Sequence, residues 1–93
     1  MIKSFADAAT EDVYNGKCPA GFPSNILKVA RRKLAMVDAA ADLKDLKSPP
    51  GNKLHPLEND RAGQHAIWIN SKYRVCFEWR EGDAHKVEIT DYH

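Results

Sequence analysis

The stretch Ser48-Pro49-Pro50-Gly51 splits the chain into two parts with different periodicities. Two successive prolines lack backbone donors and have fixed φ, so no helix can run through them, and the glycine that follows suits a turn. Before this break, apolar residues recur at helical spacing; after it, they recur with period two. A helical part followed by a strand part packs naturally as helices on one side of an antiparallel sheet. The expected architecture is therefore α+β: a short N-terminal strand, two helices, then an antiparallel sheet of three to four strands, in one domain spanning 1–93.

Local signals fill in that outline. Met1 to Phe5 alternates weakly and reads as the short first strand. Ala6 to Asn15 suits a helix, with Asp7, Glu11 and Asp12 near its positive end. Gly16, Pro19, Gly21 and Pro23 make 16–23 the most loop-like stretch. Ser24 or Asn25 can cap the next helix, expected over Ile26 to Ala41. Its apolar stripe is Ile26, Ala30, Leu34, Val37 and Ala41, and Lys28, Arg31 and Arg32 share another face. Asn52 to Leu57 reads as extended, with Pro56 limiting its pairing. Gln64 to Asn70 alternates His65, Ile67 and Ile69 against Ala66, Trp68 and Asn70. In the next strand Tyr73, Val75, Phe77 and Trp79 face the core, opposite Arg74, Cys76, Glu78 and Arg80. Glu81-Gly82-Asp83 closes a hairpin. The last strand, Lys86 to Thr90, puts Val87 and Ile89 inward, with Lys86, Glu88 and Thr90 outward.

A chain of 93 residues can bury one modest core. It has no apolar run approaching a membrane span, and its polar start offers no signal-peptide segment; the expected location is the cytoplasm. Cys18 and Cys76 then read as free thiols. The net charge is +1, unevenly spread: residues 21–53 carry seven basic and three acidic groups, and residues 54–93 five basic and seven acidic. A basic middle can meet phosphates or stand as a solvated helix face.

The sheet's polar face is the candidate site. Parity gathers Arg74, Cys76 and Glu78, and puts Tyr92 on the side of Lys86, Glu88 and Thr90. The chain ends in Asp91-Tyr92-His93; His93 joins that face only if the backbone bends. His55, before Pro56, is held in an extended or turn conformation at the rim. An arginine offers a bidentate fork to phosphate oxygens. Histidines exchange protons near neutral pH, so this set suits phosphodiester chemistry, with no metal if an RNA 2′-hydroxyl is the nucleophile. The same residue types also occur together on ordinary surface. The four histidines lack zinc-site spacing, and no glycine-rich phosphate loop is present. Cys76 reads as packing rather than a nucleophile; Trp68 and Trp79 are able to stack on bases, with packing as their default role.

Several segments together carry a family resemblance. They are Met1-Ile2-Lys3-Ser4-Phe5, Lys33-Leu34-Ala35-Met36-Val37-Asp38-Ala39-Ala40, Lys53-Leu54-His55-Pro56-Leu57, Asp60-Arg61-Ala62-Gly63, Tyr73-Arg74-Val75-Cys76-Phe77, Gly82-Asp83-Ala84 and Asp91-Tyr92-His93. In that order, and over essentially the whole chain, they resemble the HigB toxins, a branch of the RelE/ParE toxin superfamily also called plasmid-maintenance killer or host-inhibition toxins. The resemblance implies a RelE-like fold and a ribosome-dependent mRNA endonuclease that cuts in the ribosomal A site without a cofactor. The expected products are a 2′,3′-cyclic phosphate and a 5′-hydroxyl. It implies a HigA-type helix-turn-helix antitoxin as partner, contact with the ribosome and mRNA, and operator DNA reached only through the antitoxin.

By motif, the catalytic set would be His55, Arg74, Asp91, Tyr92 and His93. Arg74 would neutralise the scissile phosphate; His55, Tyr92 and His93 would share proton transfer; Asp91 would position the terminus or Arg74. Lys28, Arg31 and Arg32 would dock on ribosomal RNA or on an acidic antitoxin patch. Some relatives carry a lysine where this chain has Glu58, which would weaken transition-state stabilisation unless Lys53 or Arg61 compensates. The alternative is a non-enzymatic toxin or regulator on the same fold, bound to a protein such as gyrase or acting as an antitoxin-bound corepressor.

Overall fold

The computed structural model describes residues 1–91. Helix α1 spans Ala8–Tyr14, shorter at both ends than the expected 6–15, because Asp7 caps it: the Asp7 carboxylate accepts from the Thr10 amide at 2.7 Å. Thr10 is buried, and its hydroxyl accepts from the Ile89 amide at 3.0 Å, fastening the helix to the sheet.

Helix α2 spans Leu27–Ala39, entered through a 3-10 turn at Ser24–Ile26. Extended backbone at Ala40 ends it before Ala41. The expected stripe holds for Ile26, Ala30, Leu34 and Val37, all buried, with Ala40 buried in place of the exposed Ala41. Lys33 is buried as well, and its Nζ donates to Asn52 Oδ1. Asn52, fully buried, donates to the Leu46 and Ser48 carbonyls at 3.1 and 3.3 Å. This polar knot ties the Pro49-Pro50 stretch to α2 and satisfies groups whose burial alone is unfavourable. Burial pushes the Lys33 ammonium below its ordinary pKa, with Arg32 adding to the effect.

The strands are β1 His55–Pro56, β2 Gln64–Trp68, β3 Arg74–Arg80 and β4 Asp83–Thr90. They form one antiparallel sheet in the order β1-β2-β3-β4. The expected segment over 52–57 shortens to a two-residue strand, because a 3-10 turn occupies Pro50–Asn52 and Pro56 has no donor. The β3–β4 hairpin turns through Glu81 and Gly82 at φ 52° and 82°, the left-handed pair that a two-residue turn requires.

The expected first strand is a pair of isolated parallel bridges, Ile2 to Ala84 and Phe5 to Val87, along the outer edge of β4. Four backbone hydrogen bonds of 2.8–3.0 Å hold it. The strict alternation expected in β4 is broken: the β3–β4 register shifts between Cys76 and Glu78, and Lys86 sits at φ 53°. Its amide turns to the Ser4 hydroxyl at 2.9 Å. This irregularity lets Ala84 and Val87, three residues apart, both point into the core.

Under α2 the core gathers Ile67, Val75, Phe77, Ala84 and Val87 with Val13, Leu34, Val37 and Leu46. Cys18 is exposed, Cys76 is buried, and both are free thiols. Among the described residues, no helix is long and apolar enough to cross a membrane.

Candidate active site

The sheet face away from α2 gathers the candidate residues of the polar side. Residues directly opposite one another in an antiparallel ladder project to the same face. Register therefore builds one row of His55, Ala66, Cys76 and Glu88, and a second of Trp68, Arg74 and Thr90. His55 and Arg74 share this face but lie two strand spacings apart, on the order of 10 Å across.

The first row has a small floor, since Ala66 and Cys76 are fully buried. Arg61 reaches it from the 3-10 turn Asn59–Arg61, donating from Nη1 to Gln64 Oε1 and to Glu88 Oε1, both at 3.1 Å. Burial pushes the Cys76 thiol up to about 11; Arg61 and Arg74 oppose that shift and Glu88 adds to it. A thiol protonated at neutral pH is a poor nucleophile, which fits a packing role.

The second row is cationic. The Arg74 guanidinium carbon stands 3.9 Å from the centroid of the Trp68 ring, and Lys53 Nζ stands 3.8 Å from the same ring. Nη1 of Arg74 donates to the Asn70 carbonyl and, at 3.2 Å, to that of Tyr73. The Asn70 side chain shapes this loop by accepting from the Lys72 and Tyr73 amides at 2.8 and 2.7 Å. Lys53 gets there because its backbone adopts φ 49° and ψ 46°, turning the chain out of Pro50–Asn52 and into β1.

The same turn sets His55. Its Nδ1 lies 2.7 Å from the Lys53 carbonyl oxygen. A carbonyl only accepts, so Nδ1 carries the hydrogen in this contact. His65 faces the other way, stacked near Phe77 with 6.5 Å between centroids. Its Nδ1 is buried and has no hydrogen-bond partner among the described residues. Burial, and next the charge of His55, push its pKa below the ordinary value.

Of the expected catalytic residues, His55 and Arg74 share the polar face, and Asp91 is exposed just beyond Thr90, at the end of Arg74's row. Tyr92 and His93 lie outside the described residues. Lys53 and Arg61 are on this face. Lys28 and Arg32 are exposed on α2, across the sheet, whereas Arg31 is half-buried and donates at 3.2 Å to the carbonyls of Val13 and Lys17. Glu58 is exposed at the start of the Asn59–Arg61 turn. Sequence reasoning did not select Trp68 as a site residue, although strict alternation had already placed it with Ala66, off the core side.

The chain as a whole is similar to known proteins. Residues 3–93 fit a family described as the RelE-like toxin of the type II toxin–antitoxin system HigB. Toxin HigB-1 of Vibrio cholerae serotype O1 is 38% identical over 85 residues, which is 90% of either chain. Endoribonuclease HigB of Proteus vulgaris is 30% identical over 93 residues, the whole of both chains. In fold, the YoeB–YefM complex from Staphylococcus aureus superposes with a TM-score of 0.60 at 14% identity, covering 100% of this chain and 98% of that one. The α+β architecture is thus the RelE-like one, and the chain belongs to the family of HigB toxins of type II toxin–antitoxin systems.

Proposed function

We propose that this toxin is an mRNA endonuclease that acts on the translating ribosome in the cytoplasm. The observation that carries the reading is the cationic row: Arg74, anchored by two loop carbonyls and the Trp68 ring, lies beside Lys53 on the same sheet face as His55. The Proteus vulgaris relative, named an endoribonuclease and matched over the whole of both chains, supports the same activity.

In this mechanism the RNA's own 2′-hydroxyl attacks the adjacent phosphorus, with no metal or cofactor. Arg74 binds the non-bridging oxygens, whose charge grows in the transition state. Lys53 adds positive charge and takes over the role of the lysine that Glu58 replaces. His55 shares with Tyr92 and His93 the removal of the 2′ proton and its delivery to the leaving 5′ oxygen. Asp91 positions that group. Cleavage leaves a 2′,3′-cyclic phosphate and a 5′-hydroxyl. As a member of a type II toxin–antitoxin family, the protein is held in check by an antitoxin; we assign that role to a helix-turn-helix protein of HigA type, which also carries the pair to operator DNA. Lys28 and Arg32, on the far side of the sheet, face ribosomal RNA, with Arg31 bracing the loop beneath them.

The test is cleavage of mRNA on programmed ribosomes, compared with free RNA. Wild type cuts in frame on the ribosome, and Arg74→Ala lowers the rate by roughly 10²–10³-fold. Growth arrest without new mRNA 5′ ends, or with DNA damage in their place, overturns the reading and favours a protein target.

A further inference from the structure

The cations of the outer face fall into two groups. Arg61 is paired with Glu88, and Arg80 and Lys86 flank Glu78 at 3.5 and 3.6 Å. Lys53 and Arg74 pair with no carboxylate among the described residues, yet both stand within 4 Å of one indole ring. Two like charges brought this close repel each other, and something must offset that. The negative face of an aromatic ring attracts a cation without neutralising it, and tryptophan does so best. The same ring supplies a flat surface that holds a guanidinium plane at a fixed tilt.

Two further observations point the same way. Arg74 directs Nη1 to the Asn70 and Tyr73 carbonyls, which with the ring leaves the guanidinium little freedom. Lys53 occupies the left-handed region of backbone space at φ 49°. A residue with a side chain rarely adopts that conformation, and where it persists the strain is commonly tied to a functional site. Here it brings the ammonium over Trp68.

We infer that Trp68 is a positioning residue for cleavage: its indole holds the Arg74 guanidinium and the Lys53 ammonium together, uncancelled, as a clamp for the backbone phosphate of an RNA strand. This rests on the proposed endonuclease reading. It gives the ring a role apart from both core packing and base stacking, because the ring's partners are the two cations. It also explains how a site with Glu58 in place of a lysine keeps its positive charge. The ring brings in a lysine from the other side of His55.

Steady-state cleavage on programmed ribosomes is measured for wild type, Trp68→Phe, Trp68→Leu and Trp68→Met. The Nε–Hε NMR signal of Arg74, assigned by its loss in Arg74→Lys, is recorded on the same samples. Trp68→Phe keeps a ring face and stays within about threefold of wild type. The Leu and Met variants keep bulk but no π face. They lower kcat by roughly 10–100-fold, change KM for ribosomes far less, and broaden or shift the Arg74 signal. If Leu and Met cleave like wild type, if Phe fails as badly as they do, or if activity falls while the Arg74 signal is unmoved, Trp68 is not a positioning residue. If wild type itself cleaves no RNA, the endonuclease reading falls, and the Arg74 signal alone decides whether the ring orders the guanidinium.

Discussion

The two faces of the sheet are built on opposite rules. Under α2, Ile67, Val75, Phe77 and Val87 are fully buried and fill the space by volume alone. Outside, the floor is small, Ala66 and Cys76, and the volume is in the rim: Lys53, Trp68, Arg74 and the Arg61–Glu88 pair. The inner face sets stability and tolerates any side chain of the right shape. The outer face holds charge in place and depends on which atoms stand where. Chain neighbours can therefore differ sharply in what their loss does, because consecutive strand residues belong to different faces.

The sharpest test takes two such neighbours. Phe77→Ala should cost about 3–5 kcal/mol of stability in urea unfolding, as expected for a large core ring. Cys76→Ala, one residue away and just as buried, should cost only about 1 kcal/mol, because a small thiol leaves little cavity. Equal losses would mean that the outer floor is as much a core as the inner one.

A smaller effect is expected at the junction that feeds the outer face. Asn52→Ala strands the Lys33 ammonium and the Leu46 and Ser48 carbonyls, and should cost about 2–3 kcal/mol. Adding Lys33→Met to that variant removes the buried charge and should recover part of the loss. If the second substitution deepens the loss, the pair is not what holds the segment leading to Lys53 and His55.

The smallest effect separates the two histidines. His65 is half-buried on the inner side, its Nδ1 enclosed and its pKa pushed down, so folding favours its neutral form. Its contribution is complete above the ordinary value of 6.5 and declines as pH falls below it toward the depressed folded value. Urea midpoints measured from pH 8 to pH 5.5 should therefore fall less steeply in His65→Phe than in wild type. Parallel slopes would place the acid sensitivity elsewhere.

Much of the inner face could be read from the sequence. The stripe Ile26, Ala30, Leu34, Val37 and the alternation through Val75 and Phe77 are simple periodicities, and Gly82 marked its hairpin. The departures lie where long-range geometry overrides a local pattern. No pattern marks Lys33 as buried, because its partner Asn52 lies beyond the proline break. The irregularity at Lys86 exists to meet Ser4 and is invisible in β4 alone. On the outer face, alternation located Arg74 and Trp68, but counting charge along the chain obscured the site. The half with the acidic excess contains Arg74, while Glu78, Glu81 and Asp83 sit toward the hairpin end. The joint approach of Lys53 and Arg74 to one ring depends on strand register, which composition does not encode.

The parallel ribbon beside β4 has a consequence for the order of folding. The Lys86 amide and the Ser4 hydroxyl are 82 residues apart, and the Ile2 and Phe5 bridges also join residues 1–6 to β4. During synthesis the four backbone bonds that hold those first residues at the sheet edge cannot form until β4 has left the ribosome, since each is to that strand. Closing so long a loop is an entropic cost met late. Row two, whose Thr90 end lies on β4, is likewise completed only then. A nascent toxin thus carries Lys53, Trp68 and Arg74 before the strand beside them is in place, which leaves an interval in which a partner can meet the chain before its fold is complete.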